Sequence, residues 1–131
     1  MRVEQTIAEL ERVAAHEAGR GSEALAVPAA GGLLAAAQSL AFSERVPDAA
    51  VLTGFFIPGA EPPAAETDGP IGAVQIAAAL RLLGGRCRLV TDEPCAPVVE
   101  AAVASAAPGL PVDIAPLQGY DAWARRPPAP V

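Results

Sequence analysis

Four carboxylates stand at two places where the chain passes from an apolar run into a helix-forming one. Glu66 and Asp68 lie in "ETDGPIGA" (66–73), and Asp92 and Glu93 lie in "VTDEPC" (90–95). Acids spaced this way can hold a hard divalent cation through oxygen ligands, or move a proton at a reacting group. Each cluster also has a plainer use. Thr67 or Asp68 can cap the helix entered through Pro70, and Asp92 can cap the one entered through Pro94. Capping accounts for one acid at each turn and leaves Glu66 unexplained. A spare carboxylate, Glu93, is then available as a base.

These residues need elements to position them. "DAAVLTGFF" (48–56) is a short continuous apolar run, expected to be a strand buried on both faces. Helix 70–85 follows, with Pro70 in its first turn and Gly84-Gly85 at its end. "CRLVTDE" (87–93) gives a second buried strand, 94–107 a helix, and "PVDIAPL" (111–117) a third strand. The β-α-β-α-β order predicts a parallel sheet with helical crossovers. Ligands of such sheets bind beyond the carboxyl ends of the strands. Both acidic clusters, with Glu61, are delivered to that edge. The connection from Gly54 to Asp68 is long against the usual 2–6 residues or so, and Pro58, Pro62 and Pro63 stiffen it, which favours an ordered binding loop.

Ahead of this unit, Val3, Ile7, Leu10 and Ala14 recur at helical spacing, in a helix that Gly19 and Gly21 end. A second helix covers Leu33 to Phe42. The expected architecture is therefore an α/β, Rossmann-like three-layer α/β/α fold. Its parallel sheet is incomplete, with about three strands, and two N-terminal helices precede it. Residues 1–117 are expected to form one domain and 118–131 a proline-rich tail.

Composition narrows the function. The chain has 131 residues, 15 acids against 9 arginines, no lysine and a net charge of −6. A nucleic-acid partner, which needs a clustered basic surface, is not expected. Mean hydropathy is +0.34, against disorder over most of the length. No unbroken apolar run reaches the ~18 residues of a membrane helix, and the charged N-terminus does not read as a signal peptide. Cys87 and Cys95 match no common zinc or redox spacing, so a reduced, cytoplasmic protein is expected. Cys95, early in a helix, sits where the dipole lowers a thiol pKa, although a small packed side chain is the simpler reading. His16 reads as a surface histidine, and Trp123 lies in the tail. Neither glycine pattern nor a P-loop lysine supports a classical nucleotide site.

"TGF" (53–55), "ETDGPIGA" (66–73) and "VTDE" (90–93), in that order, resemble the D-glutamate cyclase-like family over about residues 20–117. Matched on these motifs, the chain corresponds to the N-terminal half of the family's domain. The resemblance implies a lyase that closes D-glutamate to 5-oxo-D-proline and water, with a divalent ion, manganese first, as cofactor. It implies Glu66, Asp68, Asp92 and Glu93 as catalytic residues and Glu66, Asp68 and Asp92 as metal ligands. Thr53, Gly54, Phe55, Thr67, Gly69 and Thr91 are the implied substrate contacts. A small amino-acid substrate is the implied partner, with no membrane and with a homo-oligomer completing the sheet. The alternative is a non-catalytic small-molecule, anion-binding or interaction module of the same fold.

Overall fold

The computed structural model describes residues 2–16, 21, 23–42 and 47–126. The chain divides into two compact units, residues 1–44 and 45–131.

The first unit is helical. Its elements are α1 (Val3–Ala14), α2 (Glu23–Ala29) and α3 (Gly32–Ala41). The expected helices at 3–14 and near 33–42 are present, and α2 is an addition. Gly19, expected to help end the first helix, lies outside the described residues; α1 itself stops at Ala14. Ala24–Ala41 carries no charge, and its 18 residues with mean hydropathy 1.5 pass for a membrane span by length and composition. The sequence reading missed this stretch because Pro28, Gly31, Gly32, Gln38 and Ser39 interrupt the apolar run. It folds as two helices, turned at Gly31, whose φ of +81° is one that glycine adopts freely. One carboxylate ties α1 to α3. Glu11 accepts hydrogen bonds from the N–H groups of Gly31 (2.7 Å) and Leu33 (2.8 Å), amides that the start of a helix leaves without an internal partner.

The second unit carries the sheet. Its elements run β1 (Asp48–Leu52), β2 (Phe56–Ile57), β3 (Ala64–Ala65), α4 (Asp68–Leu82), β4 (Arg86–Asp92), α5 (Ala96–Ala106), β5 (Val112–Ala115) and α6 (Tyr120–Ala124). The order β1-β4-β5 is parallel throughout, with Ala50 opposite Arg88 and Thr91 opposite Ile114. This is the expected incomplete Rossmann-like arrangement of three parallel strands and crossover helices. Helix α6 falls within the segment expected to be a loose tail, and residues 127–131 of that segment lie outside the described residues.

Helices α4 and α5 pack on each other and on β4. Val74, Ala77 and Leu80 of α4 meet Cys87 and Leu89 of β4 and Val99 and Val103 of α5 in the core. Alanine at 73 and 77 lets α4 approach closely, at the cost of little buried area per residue. Strand β4 is central and largely buried. The expectation of burial on both faces fails for β1. Ala49 and Val51 turn to the core, while Asp48, Ala50 and Leu52 are exposed. The cause is position: β1 is an edge strand of a narrow sheet, so alternate side chains reach solvent. Helix α4 ends on Gly84 at φ +83°, with Gly84 N–H donating to Arg81 C=O and Gly85 N–H to Leu80 C=O. This paired closure is what the Gly-Gly dipeptide predicts.

Candidate functional site

The strand read as 48–56 stops at Leu52, and Thr53 and Gly54, which follow it, enter the site. Thr53 N–H still donates to Val90 C=O at 2.9 Å, holding the end of β1 to β4. Gly54 then turns at φ +126°, a conformation that side chains rarely adopt. A Cβ on Gly54 would stand 2.8 Å from Thr91 Oγ1, 3.0 Å from Cys95 Cβ and 3.2 Å from Cys95 Sγ. A Cβ on Gly69, in the first turn of α4, would stand 3.2 Å from Thr53 Oγ1. Two glycines thus let three separate sequence motifs close on one another. The long connection is ordered, as expected. It contains the antiparallel ribbon β2–β3, and Glu66 N–H donates to Phe55 C=O at 2.8 Å across its base.

A cavity of about 270 Å³ opens at the carboxyl ends of the strands, lined by Leu52, Thr53, Gly54, Thr91, Asp92 and Ala115 among others. This is where parallel sheets bind ligands. Thr91 is buried, and its Oγ1 has no hydrogen-bond partner. Of the substrate contacts implied by sequence, Thr53, Gly54 and Thr91 line the cavity. Phe55, Thr67 and Gly69 are not part of its wall.

The four carboxylates have separate surroundings. Glu66 and Asp68 are exposed. Asp68 Oδ1 accepts from Gly69 N–H at 2.8 Å, and Thr67, at the helix cap position, makes no side-chain capping bond. Asp92 lines the cavity and its Oδ1 accepts from Cys95 N–H at 3.0 Å, at the entrance to α5. Glu93 Oε2 accepts from Leu117 N–H at 3.3 Å, tying the end of β4 to the segment after β5. Among the described residues no three of His, Cys, Asp and Glu come together as a group able to hold a metal ion. Glu66, Asp68 and Asp92 therefore do not form a ready cation site.

Cys95 follows the simpler expectation of a small packed side chain. Burial first, then a hydrogen bond to Asp92 and the charge of that carboxylate, push its thiol pKa up to about 11. The helix dipole does not overcome these, and Cys95 is an inert packing residue at neutral pH. Cys87 is also buried and free, its thiol raised chiefly by burial.

Sequence reasoning passed over two interactions. Arg88 is buried and pairs with Asp113 at 3.2 Å across β4 and β5. The alternation of β4 was the available signal, since Arg88 sits between Cys87 and Leu89 in a strand read as apolar. Glu11 has its partners 20 and 22 residues on, beyond any local pattern. A second, open cavity of about 530 Å³ lies within the first unit, where Glu11, Arg12 and His16 contribute to its wall.

The family model described as "D-glutamate cyclase-like, C-terminal" matches residues 10–125. Its span begins ahead of the sequence-based estimate of 20, and its description gives no support to an N-terminal placement within the family. No curated protein and no solved structure matches significantly. With most of its length covered by this match, and with the three motifs gathered at one sheet edge, the chain belongs to the D-glutamate cyclase-like family.

Proposed function

We propose that this protein binds D-glutamate at the strand-end cavity and closes it to 5-oxo-D-proline and water. The observation that carries the reading is a family match over residues 10–125 together with a cavity walled by residues of "TGF" and "VTDE", two of the three motifs that carry the resemblance. The cavity's ~270 Å³ suits a metabolite of amino-acid size. It falls just below the roughly 300–1,000 Å³ of pockets for drug-sized ligands, which disfavours a dinucleotide.

Ring closure forms a bond from the amine nitrogen to the γ-carboxyl carbon and breaks one C–O bond. The nitrogen ends with a single hydrogen, and the departing oxygen leaves as water. The amine must be neutral to attack, so a base must take a proton from the ammonium. Asp92 is the carboxylate in the cavity wall, and that position supports it as the base; one of its oxygens is already committed to Cys95 N–H. Glu93 follows directly and is held by Leu117 N–H. Thr53 and Thr91 supply hydroxyls, and the starts of α4 and α5 favour negative charge. Glu66 and Asp68, exposed on the approach to α4, belong to the proposal as outer carboxylates. A divalent ion, manganese first, is implied by the family. Since the present carboxylates do not form a group that fits one, no step here depends on it.

A second reading, a binding module without turnover, is favoured by the single carboxylate in the cavity wall. One assay separates the two. The chain is incubated with D-glutamate or L-glutamate, with and without manganese, and 5-oxoproline is measured by mass spectrometry alongside calorimetric binding. Product from D-glutamate above the uncatalysed background supports the lyase. Binding without product supports the module, and neither binding nor product removes both.

A further inference from the structure

Thr91 carries the one orphaned buried side-chain atom among the described residues. The residue is 4% exposed, and its Oγ1 meets no hydrogen-bond partner. An unpaired buried hydroxyl costs about 1–3 kcal/mol, whereas an apolar group of the same shape costs nothing of the kind. Valine would serve the fold better. Beside it, Asp92 Oδ1 is engaged with Cys95 N–H. Directly over the hydroxyl stands Gly54, whose missing Cβ would fall 2.8 Å away. Any larger residue at 54 would press on the very atom that lacks a partner. Thr91 and Gly54 both line the strand-end cavity, next to the start of the 11-residue helix α5.

Resting on the reading of this cavity as an amino-acid site, we propose that Thr91 reads the ligand: its hydroxyl, kept unpaired in the free protein, donates to a carboxylate oxygen of the bound acid. A carboxylate is an acceptor-only group, so the hydroxyl acts as donor toward it, and such charge-assisted bonds are the stronger kind. The positive end of α5 favours the same charge. Gly54 brings no side chain of its own against the hydroxyl. Thr91 is thus a specificity residue for small carboxylic acids, and its unsatisfied state is a folding cost that ligand binding relieves.

Calorimetric titration tests this with the wild-type chain and its Thr91→Val, Thr91→Ser and Thr91→Ala variants. The ligands are D-glutamate, L-glutamate, 5-oxo-D-proline and succinate, and each protein is also melted without ligand. Thr91→Val is expected to melt at or above the wild type and to bind the preferred acid about tenfold or more weakly. Thr91→Ser, which keeps the hydroxyl, is expected to keep the affinity. Should valine prevent folding, Thr91→Ala removes the hydroxyl without added bulk and gives the same readout. Undiminished binding by a folded variant without the hydroxyl overturns the proposal and leaves the glutamate reading intact. Hydroxyl-dependent binding of succinate alone supports the proposal and overturns the glutamate reading. A wild type that binds none of the four acids overturns both.

Discussion

A Cβ on Gly54 would lie 2.8 Å from Thr91 Oγ1, so the end of β1 and the end of β4 can meet only because residue 54 has no side chain. Its φ of +126° adds a second reason. Gly54→Ala is therefore expected to lose about 2 kcal/mol or more, through strain and overlap together. Gly69→Ala meets Thr53 Oγ1 at 3.2 Å with ordinary backbone, and a smaller loss is expected. Urea unfolding of both variants measures the difference. Equal stabilities would mean that the two contacts do not differ as the distances indicate.

The two ion pairs of the sheet should respond differently to truncation. Arg88 and Asp113 have side chains 9% and 26% exposed, against 61% and 53% for Arg86 and Asp48. Asp113→Ala leaves a buried guanidinium without its anion and is expected to cost about 2 kcal/mol or more. Asp48→Ala is expected to cost about 1 kcal/mol or less, because water screens an exposed pair. Denaturant midpoints for the two variants check this.

Cys95 should resist alkylation at neutral pH. Its raised pKa means the folded protein holds the thiol proton more tightly than the unfolded chain, whose ordinary value is 9.0. Stability is therefore unaffected by this group below pH 9 and falls as pH rises from 9 toward about 11, where the unfolded state sheds the proton first. Iodoacetamide labelling followed by mass spectrometry should show slow modification of the native chain at pH 7.5 and rapid modification once it is denatured. Asp92→Asn removes a charge that opposes the thiolate, so labelling at alkaline pH should quicken. Fast native labelling at neutral pH would contradict the assigned surroundings.

Glu11 should hold α3 to α1. The N–H groups of Leu33 and Gly31 lower its carboxyl pKa from the ordinary 4.5. The contribution is present above that value and lost as pH falls through the lowered one. Glu11→Ala is expected to reduce helical circular dichroism from the first unit and to flatten its response to acid. A variant with unchanged acid response would remove Glu11 from this role.

Much of the fold was legible because its signals are local. Pro70 and Gly84-Gly85 marked both ends of α4, and the β-α-β-α-β rhythm gave the parallel sheet. The exposed face of β1 was not legible, since an apolar run does not say which strand lies at an edge. Within the site, "TGF" and "VTDE" contribute to the wall of the strand-end cavity, and "ETDGP" starts the helix beside Thr53. Their carboxylates suggested a shared metal, whereas Asp68, Asp92 and Glu93 each satisfy a different backbone amide nearby. The residues that touch across the motifs are small ones, Thr53 with Gly69 and Gly54 with Thr91. Such contacts depend on the absence of atoms, which no charge or hydropathy pattern records.

The central claim is that the strand-end cavity binds glutamate, and amide chemical shifts test it most directly. A ¹⁵N-labelled chain is titrated with D-glutamate, and the shifts are mapped by residue. Saturable changes at Thr53, Gly54, Thr91 and Asp92, with little change in residues 3–41, are the predicted result. Changes confined to residues 8–30, around the other cavity, or no saturable change at all, would contradict the account.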